Sequence, residues 1–238
     1  MTTCAECTWL NVLVKGTSCS DIGKTPTSAI CPAFRSQEQD LVQIKRAFSE
    51  SSKFEVFEWL PKDFSKAFMV CIGAGPWKYA RRCKIQGEAL TWLGDRDIAQ
   101  LDHVTCYPLK WQNKTVETLA ESLRVMSMTM ETFCSKVQWL ATNMDPALAK
   151  RWFYKSCGNP QGFKTLSLFC RDSLKIEAFP IDRHVSRRLA LYNLPVDENA
   201  LVHLCMQAAL NVREVAVSFV QTGDGKGLDT GNPDWHNR

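Results

Sequence analysis

No apolar run in this chain approaches the length of a membrane-spanning helix. The longest apolar stretches, such as Ala67 to Trp77, are broken by Gly and Pro and fall well short of the ~20 residues that a bilayer requires. No membrane association is therefore expected. The opening residues Met1 to Leu10 lack a basic patch followed by an apolar run, so they do not read as a secretory signal, and an intracellular, cytoplasmic protein is expected. Internal repeats and long low-complexity segments are also missing. Nor is there a strong excess of one charge: the formal net charge of +4 is too mild to imply a nucleic-acid partner by itself.

The 238 residues, 45% of them hydrophobic, suffice for one large core or for one domain with a small appendage. Their charge is unevenly spread. From Arg151 to Arg188 there are eight basic residues (Arg151, Lys155, Lys164, Arg171, Lys175, Arg183, Arg187, Arg188) and three acidic ones (Asp172, Glu177, Asp182), a local +5 that leaves the remainder near −1.

Met1 to Ser36 is rich in Cys, Thr, Ser and Gly, contains Pro26 and Pro32, and has no sustained helical apolar period. It reads as a small module held by something other than a hydrophobic core. Residues 37–222 read as a helical domain, and 223–238, opening on Gly223-Asp224-Gly225, as a flexible tail. Leu41, Ile44 and Phe48 keep helical spacing, and further helices are expected near Lys62 to Cys71, Trp77 to Lys84 and Asp95 to Leu101. After Asn113, the residues Val116, Leu119, Leu123, Met126, Met130, Phe133, Val137 and Leu140 alternate steps of three and four, which predicts one core helix. Asp145-Pro146 pairs a capping carboxylate with Pro in the first turn, opening a helix to Lys155 or Ser156. Cys157-Gly158-Asn159-Pro160-Gln161-Gly162 breaks it, and a second helix from about Phe163 to Ser173 carries Leu166, Phe169 and Cys170 on one face. Asp182 stands at the N-cap of a helix to about Tyr192. Helices over about Asp197 to Leu210 and Val212 to Val220 complete an all-α chain.

A helix, a short Gly-containing hairpin and a second helix, here Ala147 to Ser173, can present backbone N–H groups and a helix N-terminus to one phosphate, binding DNA without reading its sequence. Lys164 opens the second helix, and Asp182 follows 18 residues later in Phe179-Pro180-Ile181-Asp182-Arg183-His184-Val185. Gly162-Phe163-Lys164-Thr165 and Ile181-Asp182-Arg183-His184-Val185, at that spacing, resemble two motifs of the helix-hairpin-helix DNA glycosylases. These are the Leu-Pro-Gly-Val-Gly-x-Lys hairpin and the apolar-Asp-x-His-apolar segment of a superfamily that includes endonuclease III and the 8-oxoguanine glycosylases. The likeness spans roughly Ala147 to Tyr192. Pro160 falls where the family's first hairpin Gly stands; it has no N–H and cannot take a positive φ, which leaves Gly158 or Asn159 to supply the unusual backbone geometry.

The resemblance implies an all-α helix-hairpin-helix glycosylase domain with Lys164 and Asp182 as its catalytic pair. Its activity would be that of a base-excision-repair enzyme, a DNA N-glycosylase with lyase activity at the abasic site. The implied partner is double-stranded DNA with a damaged or modified base flipped into a pocket, an oxidised purine such as 8-oxoguanine being the first substrate to consider. Cleavage of an N-glycosidic bond builds oxocarbenium-like charge on the sugar, which a carboxylate such as Asp182 can stabilise. By resemblance, Lys164 attacks C1′ as a neutral amine, expels the base and leaves a Schiff base able to eliminate the 3′ phosphate. Such a lysine needs a lowered pKa, to which Arg183 or Arg187 could contribute. Gly158, Gly162, Thr165, Arg183, His184 and Arg187 are the expected DNA contacts, with Arg187 and Arg188 on phosphates and His184 orienting or packing. Singly, a Lys at a helix start is a solvated residue and an Asp before a helix is a cap worth ~1 kcal/mol; the joint pattern carries the chemistry. Two alternatives keep the fold: an enzyme acting on modified phage DNA such as hypermodified thymine, and a non-catalytic DNA-binding module. A DNA-associated monomer is expected, in the nucleoid if the cell is prokaryotic.

Cys4, Cys7, Cys19 and Cys31 form C-x2-C-x11-C-x11-C, and four thiolates in a coreless segment can fold it around a structural, tetrahedral Zn²⁺. The rival is a 4Fe–4S cluster, because Pro32 follows the last Cys as in several cluster motifs. Endonuclease III relatives carry such a cluster after the catalytic domain, whereas here only Cys205 lies beyond Cys170. Cys71, Cys83, Cys106, Cys134, Cys157, Cys170 and Cys205 read as mostly buried thiols. Trp77, Trp92, Trp111, Trp139, Trp152 and Phe163 could stack on a base or wedge into a duplex, although most are expected in the core.

Overall fold

The computed structural model describes residues 37–51, 58–74, 79–106, 109, 112–158 and 164–222. Among these the chain is all-helical, with ten α-helices, a single 3-10 turn and no strand. The span expected to form one helical domain falls into two compact units, one built from 58–180 and the other from 37–51 together with 181–222. Among the described residues no helix is long and apolar enough to cross a membrane. The Cys-rich module and the tail lie outside them.

The unit of residues 58–180 centres on a helix whose last six residues are apolar. Labelled in chain order with the Gln37–Ser49 helix of the other unit as α1, this is α2 (Phe64–Ile72), in which Ala67 to Ile72 are all buried. A run of six buried residues needs neighbours on every side. These include α3 (Tyr79–Leu93), α5 (Met130–Asn143) and α7 (Lys164–Asp172), and α6 (Pro146–Ser156) packs against α5. Phe68 of α2 meets Phe153 of α6 and Phe169 of α7 edge-on, with ring centroids 6.2 and 5.3 Å away. Phe153 and Phe169 stack at 5.3 Å, and Phe133 of α5 stacks on Phe153 at 6.2 Å. Each such pair adds about 0.5–1.5 kcal/mol beyond the area it buries. Four helices thus share one aromatic cluster.

The helix expected from Asn113 to Leu140 is two helices, α4 (Asn113–Val125) and α5. Ser127 adopts a left-handed backbone with φ 52°, and the Thr129 side chain then accepts from the Thr132 N–H at 3.1 Å, starting a new helix. Six of the eight stripe residues are fully buried, while Met126 and Leu140 are partly buried. The core face was therefore read correctly and its continuity was not, because hydrophobic periodicity carries no information about a cap in mid-stripe.

Asp97 locks this corner. Its Oδ1 accepts from the Ala99 N–H at 2.8 Å, and its own N–H donates to the Gln100 side chain at 2.9 Å, a reciprocal cap on the 3-10 turn Ile98–Gln100. Both carboxylate oxygens also accept the Met130 N–H at 3.1 Å, so one side chain serves N–H groups at the start of two elements.

The second unit packs α1 against α9 (Glu198–Gln207) and α10 (Val212–Thr222), with α8 (Arg183–Leu191) against α10. Arg188 of α8 is 8% exposed. It donates to the Ala47 carbonyl at 3.1 Å and to Ser51 Oγ at 2.9 Å, and its guanidinium lies over the rings of Tyr192 and Phe219. The Tyr192 hydroxyl donates to Glu50, which also pairs with Arg46 at 2.8 Å. Arg188 is thus the clasp between α1, α8 and α10 rather than a phosphate contact.

Substituting Asp97→Ala should cost about 1–3 kcal/mol in urea unfolding, since it removes a cap and strands the Met130 N–H. Asp97→Asn, which keeps an acceptor, should recover most of that loss; equal midpoints for wild type and Asp97→Ala would contradict the assignment.

Candidate functional site

Lys164 is the first residue of α7 and is partly buried. Its position is set by how firmly the rest of α7 is held. Leu166, Phe169 and Cys170 are fully buried on the expected face, and the Tyr154 and Ser167 hydroxyls share a buried hydrogen bond of 2.8 Å between α6 and α7. At the far end Asp172 receives Arg171 Nε and Nη2 at 2.8 and 2.7 Å, together with Trp59 Nε1 at 2.8 Å. Lys175 Nζ donates to both Glu58 oxygens and to the Asp172 carbonyl, each at 2.7 Å. Two of the eight cations counted in the basic segment are thereby matched by acids. Thr165 lies beside Lys164 in the first turn of α7, partly buried.

The chain leaves α6 through Gly158, whose φ of +81° is the left-handed conformation that glycine adopts without penalty. Gly158 is one of the two residues, with Asn159, expected to supply the geometry denied to Pro160. Helix α4 braces the same point: Ser122 Oγ donates to the Ser156 carbonyl at 2.9 Å, and a Cβ at Gly158 would stand 3.2 Å from Thr118 Cγ2. Asn159 to Phe163, including Pro160 and Gly162, lie outside the described residues.

Asp182 is the N-cap of α8, as expected. Its Oδ1 accepts the N–H groups of His184 at 2.9 Å and Val185 at 3.0 Å. Arg183 is exposed and donates from Nε to His184 Nε2 at 3.3 Å; His184 is partly buried and Arg187 exposed. Lys164 belongs to the 58–180 unit, and Asp182, Arg183, His184 and Arg187 to the other.

Of the aromatics considered for stacking, Trp92 and Trp152 pack against the core, and Trp139 is 58% exposed. Trp77, Trp111 and Phe163 lie outside the described residues. The same holds for Cys4, Cys7, Cys19 and Cys31. Among the described residues no group of three or more Cys, His, Asp or Glu side chains is arranged to hold a metal. Cys71, Cys106, Cys134, Cys157, Cys170 and Cys205 are buried and Cys83 partly so. Burial pushes the Cys71, Cys134 and Cys157 thiols well above their ordinary range, which suppresses the thiolate and with it any nucleophilic role.

The Thr118 and Ser122 brace and the Trp59–Asp172 bond were not foreseen. The brace joins residues 34 or more apart in sequence and the bond residues 113 apart, and no local spacing announces such pairs. No protein-family model matches the chain, and searches of curated proteins and of solved structures found no similar protein.

Gly158→Ala should lower stability by about 1–2 kcal/mol through its positive φ and the close Thr118 methyl. Adding Thr118→Ser, which deletes that methyl, should restore only part of the loss; full restoration would show that φ contributes nothing. Mapping of iodoacetamide adducts by mass spectrometry should find Cys83 labelled in the native protein and Cys71, Cys134 and Cys157 labelled only after unfolding. Native labelling of the latter three would overturn their placement.

Proposed function

We propose that the chain is a DNA glycosylase of the helix-hairpin-helix kind that removes a damaged or modified base flipped out of double-stranded DNA, with Lys164 as the amine nucleophile and Asp182 as the carboxylate. The observation that carries the reading is the placement of Lys164. It opens a helix held along its length by the core, six residues after the left-handed Gly158 that follows α6. A helix start offers N–H groups and partial positive charge to a phosphate, and an anchored backbone holds a nucleophile in one place. The 18-residue spacing to Asp182 and the fixed orientation that capping gives that carboxylate support the second role.

In this mechanism Lys164 Nζ, as the free amine, forms a bond to C1′ while the bond from C1′ to the base nitrogen breaks and the base leaves with the electron pair. Asp182, as the carboxylate, stabilises the positive charge that develops on the sugar. Breaking of the C1′–O4′ bond then opens the sugar ring, O4′ taking up the proton released by the nitrogen, and gives the Schiff base; loss of a C2′ proton from it eliminates the 3′ phosphate. Arg183, His184 and Arg187 contact the DNA backbone. Cys4, Cys7, Cys19 and Cys31 would hold a Zn²⁺, which would supply structure rather than chemistry.

Incubation with duplexes containing 8-oxoguanine, oxidised pyrimidines, uracil or hydroxymethyluracil, followed by borohydride, should trap a covalent adduct with at least one lesion. Lys164→Gln should abolish it. Asp182→Asn should keep the cap, and so the melting temperature, while slowing base release by about 10²-fold or more, the scale seen when a transition-state electrostatic contact is lost. An adduct that survives Lys164→Gln, or none with any lesion, would sink the proposal. Elemental analysis should find one zinc per chain, lost in Cys4→Ser/Cys7→Ser; iron with visible absorbance would replace zinc by a cluster.

A further inference from the structure

Ser167 sits on the same face of α7 as Lys164. Lys164, Ser167 and Arg171 follow one another at steps of three and four residues, which aligns them along one side of the helix. This polar stripe turns inward: Ser167 is 2% and Arg171 7% exposed, and Lys164 is partly buried. Asp172 answers Arg171 at 2.7 Å, and the Tyr154 hydroxyl of α6 answers Ser167 at 2.8 Å. Lys164 stands at the amino-terminal end of the stripe, one turn from Ser167.

The hydroxyl pair contributes little to stability. A neutral hydrogen bond is worth about 1 kcal/mol net, and an apolar pair of the same shape in its place is close to neutral. Phe153 and Leu166, the sequence neighbours of Tyr154 and Ser167, are fully buried, so an apolar pair would suit this part of the core. What the hydroxyls offer instead is a fixed acceptor. Ser167 Oγ has two lone pairs and uses at most one of them on Tyr154. Cβ atoms three residues apart on a helix are about 5–6 Å from each other, a span that a lysine stem covers. In α4, Lys114 Nζ reaches the Glu117 carboxylate at the same spacing, 3.4 Å away.

We propose that Ser167 is a positioning residue for Lys164, its Oγ, steadied by Tyr154, accepting one N–H of the Lys164 amine. A neutral amine carries two hydrogens and one lone pair. With one hydrogen held against Ser167, the lone pair is turned outward from α7 toward the C1′ atom it attacks. The inference rests on the reading of Lys164 as nucleophile and adds the group that aims it.

The first measurement needs no DNA. A brief pulse of acetic anhydride on the full chain, followed by peptide mapping, gives the acetylation rate of Lys164 relative to the other lysines. Ser167→Ala and Tyr154→Phe should raise that rate several-fold, because an acceptor favours the protonated amine and restrains the neutral one. Amide exchange across α7 should stay at the wild-type rate. Ser65→Ala removes the buried hydroxyl that accepts the Ile98 N–H in the same unit, and should leave Lys164 acetylation unchanged. The second measurement is formation of the borohydride adduct on a lesion duplex, which Ser167→Ala should slow by about 10-fold or more at unchanged duplex affinity. Lys164 acetylation that is unchanged in Ser167→Ala, or that rises together with exchange across α7, overturns the inference. So does an adduct that Ser167→Ala forms at the wild-type rate. No adduct with the wild-type chain, beside a Lys164 that responds to Ser167→Ala, would leave the hydrogen bond standing while the glycosylase reading fell.

Discussion

The stacked rings of Phe153 and Phe169 join α6 to α7, the helix that Lys164 opens. Phe68 and Phe133 close around the stack from α2 and α5, so four helices meet where α6 and α7 are tied together. The buried Leu166 and Cys170, the Tyr154–Ser167 bond at its middle and the Arg171–Asp172–Trp59 cluster at its end hold α7 along the rest of its length. The unit places its largest buried side chains beside the segment expected to perform chemistry, which accords with the need to hold a nucleophile to within a fraction of an ångström.

Carboxylate caps are the second recurring device. Asp63, Asp97, Asp145, Asp182 and Asp197 each accept a backbone N–H at a helix start. Asp97 goes further by capping its own turn and reaching the first N–H of α5. Asp182 shares this chemistry, and its geometry as a cap is the same as that of its neighbours. What singles it out is its sequence setting after Pro180 and its 18-residue distance from Lys164. Capping and transition-state stabilisation are compatible roles for one carboxylate, because the hydrogen bonds that satisfy the helix also fix where its charge stands.

Much of the helical plan was legible from capping residues and periodicity. Asp145-Pro146, Asp182 and the Leu166–Phe169–Cys170 face all stand where their local chemistry placed them. The single helix read from Asn113 to Leu140 failed at Thr129, since a stripe of apolar residues is continuous whether or not the backbone turns. Charge was the least legible property. Arg171, Lys175 and Arg188 contributed to the basic segment by count, yet their partners Asp172, Glu58 and the Ala47 carbonyl come from the adjacent residue or from more than 100 residues away. The restriction on Pro160 pointed to Gly158 or Asn159 for the unusual backbone geometry; Gly158 has a positive φ, and Asn159 lies outside the described residues.

The central claim is that the amine at the start of α7 becomes bonded to the sugar. Its most direct test is peptide mapping of the borohydride-reduced protein–DNA adduct after nuclease and protease digestion. The account predicts the residual sugar mass on the peptide that contains Lys164, attached to that residue. Attachment at any other lysine, or at the amino terminus, would contradict it.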